Sequence, residues 1–125
     1  MVLQAARRPR GEGNDRSAMS DAPEATLQRF LAVDLERRSA MLRDDSVRIG
    51  VIESVERLIA RDARKAAEAG RRVGEASDDG STTARALRAT TTALAYLGRF
   101  DEAIAAALEA RDRALAVDDR VEAAR

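Results

Sequence analysis

This chain has almost nothing large to bury. Aromatic residues are 2% of a sequence that is 45% apolar, so a core must be assembled from Ala, Leu, Val and Ile. Alanine has the best helix propensity and lets two backbones approach closely. Cores of that kind belong to helices packed tightly against one another, and the expected fold class is all-α. The 125 residues allow one small domain at most.

Composition also narrows the chemistry. The chain has no Cys and no His, which excludes a disulfide framework, a Cys/His zinc site, a thiol nucleophile and a Ser-His-Asp triad. No metal and no cofactor is expected, and no catalytic residue is assigned. Carboxylates alone could run an acid–base mechanism. Here, however, they are spread over helical faces beside Arg, the pattern of a solvated surface. The basic residues are Arg throughout except Lys65, and they are balanced to a net charge of 0, so no nucleic-acid partner is expected. No apolar run approaches the roughly 20 residues of a membrane span. A cytoplasmic protein with no membrane partner is therefore expected.

Residues 1–22 carry Arg7, Arg8, Arg10, Pro9, Gly11 and Gly13 without periodicity, and read as a disordered tail. Met19 begins MSDAPEA, a helix-start signal that would also serve as a natural N-terminus: Ser20 or Asp21 as cap, Pro23 in the first turn, Glu24 on the dipole. Residues 23–45 then read as one N-terminal capping helix, its stripe formed by Leu27, Phe30, Leu31 and Leu35 and extended to Met41 or Leu42. Asp44, Asp45 and Ser46 interrupt it.

Between residues 47 and 51 the pattern is ambiguous. Val47, Ile49 and Val51 alternate as in a strand, whereas Val51, Ile52, Val55, Leu58 and Ile59 follow a helix. The helical pattern is longer and no partner strand is visible, so helix is expected, with Gly50 lowering its stability by roughly 1 kcal/mol relative to Ala. Further helices are expected from about Asp62 to Ala76, from about Thr82 to Leu97 and from about Asp101 to Val117, with Gly98 as a left-handed C-cap. Asp119 and Glu122 resemble a capping box and predict the start of one more helix.

The chain also resembles itself. Asp78-Asp79 and Asp118-Asp119, Ala84-Arg85 and Ala124-Arg125, and Ala63, Ala66 and Ala67 against Ala103, Ala106 and Ala107 all recur at an offset of 40 residues. In the stretch LAYLGRFDEAIAAALEA, Gly98 and Phe100 at the turn, Ala103 at the helix crossing, Leu87 and Leu94 in the first helix and Ala110 in the second resemble the tetratricopeptide repeat (TPR). Thr90 and Thr91 depart from it, standing where a Leu and a small residue are usual. So do Ala107 in place of an aromatic and Leu115 in place of the terminal Pro. The spacing exceeds the common 34 or so. It resembles the longer variant found in CHAT-domain proteins, although the CHAT peptidase domain itself, with its His and Cys, is absent.

That resemblance implies antiparallel helix hairpins stacked as a short TPR-like α-solenoid over residues 46–125, the last repeat incomplete; the alternative is a non-repetitive helical bundle. It further implies a non-enzymatic interaction module or adaptor that binds a protein, peptide or helix in a concave groove. On the helix from Thr82 to Leu97, the residues facing away from the Leu87, Leu94 and Leu97 stripe include Arg85, Arg88, Thr92 and Tyr96, which share one face. Arg suits carboxylates and Tyr offers a rigid contact, so an acidic peptide is the expected occupant. The chaperone-tail clamp of some family members, which uses Lys and Asn, is not reproduced by Arg88 and Thr92. Two other readings stay open: a structural bundle that self-associates through its C-terminal helices, and a carboxylate-dependent enzyme. An unfinished helix carrying Val121 and Ala124 would leave the Leu108 and Leu115 side of its predecessor partly uncovered, which favours a fragment of a longer repeat protein or a self-associating chain.

Overall fold

The computed structural model describes residues 24–123, with side-chain surroundings described through Ala116. The expected tail over residues 1–22, the caps at Ser20 and Asp21, and the side chains of Val121 and Ala124 lie outside the described residues. Those described form six helices and no strand: α1 over residues 24–32, α2 (Leu35–Met41), α3 (Asp45–Arg61), α4 (Ala63–Ala76), α5 (Gly80–Tyr96) and α6 (Phe100–Ala123). The stretch over residues 47–51 is helical, as the longer of its two periodicities predicts.

Aspartate starts helix after helix. Asp34, Asp44, Asp62 and Asp79 each take an N-cap position, and each side chain accepts a backbone N–H of the first turn, such as Val47 N at 3.1 Å and Lys65 N at 3.1 Å. These donors have no partner inside their helix, so each cap contributes about 1 kcal/mol. Asp62 alone separates α3 from α4. At the other end of the hairpin region Gly98, at φ 75°, ends α5. Arg99 N donates to Leu94 O at 2.9 Å and Gly98 N to Ala95 O at 3.0 Å, the paired bonds of a Schellman motif, which needs a left-handed residue between them.

Short connections fold neighbouring helices back on each other. Val51, Ile52 and Val55 of α3 share a core with Ala69, Val73 and Ala76 of α4. Ala66 and Ala67 of α4 meet Ala93 and Leu94 of α5, and these meet Ala103 and Ala106 of α6. Helix α5 is central, touching α3, α4 and α6. The closest approach lies where α4 crosses α5: a Cβ on Gly70 would overlap Thr90 Oγ1 and stand 3.0 Å from Ala86 O. The small residues set this spacing, as the scarcity of aromatic residues implies. The one large buried aromatic, Phe30, is 0% exposed and closes the core with Leu27 and Leu42.

Two expectations are corrected. Residues 23–45 are not a single capping helix. The chain breaks at Val33 and Asp34, where Asp34 caps α2 through Arg37 N at 2.9 Å. Arg38 reaches back to donate to Phe30 O at 3.1 Å and Leu31 O at 2.8 Å, satisfying the last carbonyls of α1. Leu35 consequently leaves the apolar stripe and is 52% exposed. Secondly, no helix starts at Asp119. Helix α6 runs unbroken through Asp118 and Asp119 to Ala123, because neither Gly nor Pro interrupts it there. The 40-residue offset thus relates an inter-helix turn at Asp78-Asp79 to a helix interior. Nor does burial follow the offset throughout: Ala107 is exposed although Ala67, forty residues earlier, is buried, because no described element covers that side of α6.

Candidate functional site

The outer face of α5 follows from its two periodicities. Leu87, Thr90 and Leu94 turn inward, so Arg85, Arg88, Thr92 and Tyr96, on the opposite side of the helix, turn out. The structure brings all four onto one exposed row, as their spacing predicts. Tyr96 is 68% exposed. Thr92 Oγ1 donates to Arg88 O at 3.1 Å within its own helix, and Arg88 forms no ion pair with a described residue.

Arg85 is not available as the sequence suggests. Its Nε donates to Glu56 Oε2 at 2.8 Å and its Nη2 to Glu56 Oε1 at 2.7 Å, a two-point pair between α5 and α3. The hydrogen-bonded Glu56 carboxylate raises the Arg85 pKa above its usual value, with Glu53 adding to the effect. The face is therefore of mixed charge, and Arg88 is the cation of this row without an ion pair among the described residues. Sequence reasoning missed Glu56. The signal that could have found it is the matched spacing of Glu53 and Glu56 on one helix and Arg85 and Arg88 on the other, three residues apart in each case.

Next to this row, where α3 begins and α5 begins, lies an open cleft of about 210 Å³ lined by Arg48, Ile49 and Ile52 on one side and Asp79, Ser81, Thr82 and Arg85 on the other. Its charged groups already have structural partners. Arg48 donates to Leu42 O and Asp45, and Asp79 caps α5 and accepts the Thr82 hydroxyl at 2.6 Å. That hydrogen bond is the main reason the Asp79 carboxyl sits below its usual pKa; partial burial opposes it. Glu102, on α6, is lowered likewise, chiefly by its hydrogen bond to Arg99. A general acid working near neutral pH needs the opposite shift. Among the described residues no group of His, Cys, Asp or Glu is placed to hold a metal ion, and no helix is long and apolar enough to cross a membrane.

Comparison with protein-family models, with characterised proteins and with solved structures yields no match.

Proposed function

We propose that this chain is a non-enzymatic, cytoplasmic interaction module of tetratricopeptide type, which presents the α3–α5 face to a peptide or helix of a protein partner. The observation that carries the reading is the row of Arg88, Thr92 and Tyr96 on the central helix, with a tyrosine that is 68% exposed. Aromatic and Arg side chains of this kind supply a large share of binding energy at protein interfaces. Helix α5 touches α3, α4 and α6, so the row is held by packing on its other side and loses little entropy on binding. The Glu56–Arg85 pair links α3 to α5 and leaves Arg88 to donate to a partner carboxylate.

Peptide display tests it. A random peptide library selected on the intact chain, then counter-selected on an Arg88→Ala, Tyr96→Ala variant, should yield peptides that carry an acidic residue beside an apolar one and that lose at least about tenfold in affinity for the variant. An Arg64→Ala control on α4 should bind as the parent does. Failure to enrich any peptide, or peptides that bind the double variant equally well, would refute the assignment.

A further inference from the structure

Helix α6 carries an apolar stripe on the side turned away from α5. Ala103, Ala106 and Ala110 are buried against the body of the fold, whereas Ile104 is 58%, Leu108 47% and Leu115 52% exposed. The equivalent positions of α4, forty residues earlier, show that such a surface needs no apolar residues: Arg64, Glu68 and Glu75 stand where Ile104, Leu108 and Leu115 do. With Asp101 and Arg111 the stripe reads Asp101, Ile104, Leu108, Arg111, Leu115, at spacings of three, four, three and four. This is the period of a two-helix coiled-coil seam.

The stripe is complementary to itself. About a midpoint level with Ala106, Ile104 is balanced by Leu108 two residues to each side, and Asp101 by Arg111 five residues to each side. Leu115 has its counterpart in Leu97, in the turn where the 62% exposed Phe100 opens α6. An antiparallel partner of the same sequence would place Ile104 on Leu108, Leu115 at the Leu97 and Phe100 end, and Asp101 opposite Arg111, each contact made twice as two-fold symmetry requires. Parallel pairing would instead set Asp101 against Asp101 and Arg111 against Arg111, which is repulsive. Both charges are exposed. Asp101 forms no ion pair among the described residues, and Arg111 has only its neighbour Asp112 at 3.5 Å.

We infer that the exposed face of α6 is the interface of an antiparallel homodimer, in which Ile104 and Leu108 form the centre and Asp101–Arg111 ion pairs set the register. This surface is separate from the α5 row, so either assignment can fail without the other. The seam spans about 22 Å of helix from Asp101 to Leu115, short for a stable interface, so the dimer is a weak one that forms with rising concentration.

Sedimentation of the intact chain from about 5 to 500 µM at low salt, with circular dichroism as a check on folding, tests the inference. The parent should shift from monomer to dimer and stop there. Asp101→Arg alone, or Arg111→Asp alone, places like charges together and should weaken the dimer by about tenfold or more. The two substitutions combined restore opposite charges and should return affinity to within about threefold of the parent. Leu108→Glu should leave a folded monomer throughout. A parent that stays monomeric over the whole range overturns the inference. So does a dimer indifferent to Leu108→Glu, or single charge variants that the combined variant fails to rescue.

Discussion

Placing a methyl group on Gly70 probes the contact that sets the spacing of the whole helical stack. In an isolated helix, Gly→Ala is stabilising by about 0.5–1 kcal/mol, because alanine has less backbone freedom to lose. At Gly70 the new Cβ would overlap Thr90 Oγ1 and press on Ala86 O at 3.0 Å. Thr90 cannot simply turn aside. It is 0% exposed, and its hydroxyl donates to the same Ala86 O at 3.0 Å, so rotation would break a buried hydrogen bond worth about 1–3 kcal/mol once left unmade. Separating α4 from α5 instead forfeits packing along both, and overpacking of this sort typically costs about 1–3 kcal/mol. Subtracting the helix-propensity gain leaves Gly70→Ala destabilising by about 1 kcal/mol. Two other glycines serve as controls: a Cβ on Gly50 meets nothing within 4 Å, and one on Gly74 meets Leu87 at 3.6 Å, an ordinary contact. Both should stabilise by about 0.5–1 kcal/mol. Urea unfolding followed by circular dichroism measures all three, and adding Thr90→Ala to Gly70→Ala should recover at least about 1 kcal/mol through their coupling. A Gly70→Ala protein as stable as the Gly50→Ala protein would refute the crossing geometry.

Further outcomes follow from other sites. Ser54 is 1% exposed and its hydroxyl has no hydrogen-bond partner among the described residues, so Ser54→Ala should be neutral or stabilising by up to about 1 kcal/mol in the same unfolding assay; a loss above that would mean the hydroxyl is engaged. Asp79→Ala should lower stability by about 0.5–2 kcal/mol at neutral pH. Because the folded Asp79 carboxyl lies below its ordinary value of 3.8, the unfolded chain takes up the proton first. The parent's advantage over Asp79→Ala should therefore hold above about pH 4 and shrink as pH falls through the folded value; an advantage constant down to pH 2 would contradict it. A double-mutant cycle on Glu56 and Arg85, both partly solvent-screened, should give a coupling of about 0.2–1 kcal/mol that falls with added salt.

Much of this arrangement is legible from sequence, because burial leaves a period. The Val51, Ile52 and Val55 spacing identifies α3, and the spacing of Leu87 and Leu94 puts Arg85, Arg88, Thr92 and Tyr96 outside before any coordinates are known. Gly98 marks its own turn because only glycine is at ease there. Features that depend on two distant segments leave no such mark. The break at Asp34 lies inside an unbroken apolar rhythm and is supported by Arg38 reaching the carbonyls of Phe30 and Leu31. Asp119 carries a local start signal, yet a helix already running has no reason to stop for it. Thr90, a departure from the repeat pattern in sequence, is accounted for by Gly70 across the crossing, twenty positions away. Glu56 and Arg85 are joined only by the packing of α3 on α5.

The central claim, that a partner is met along the exposed row of α5, is tested most directly by amide chemical-shift mapping of the folded chain with a peptide selected on it. Shifts are expected to run from Arg85 through Arg88 and Thr92 to Tyr96 and to include Glu53 and Glu56 on α3, leaving Arg64 and Glu68 on α4 unmoved. Shifts centred on the α4 face, or none along α5 at saturating peptide, would contradict the claim.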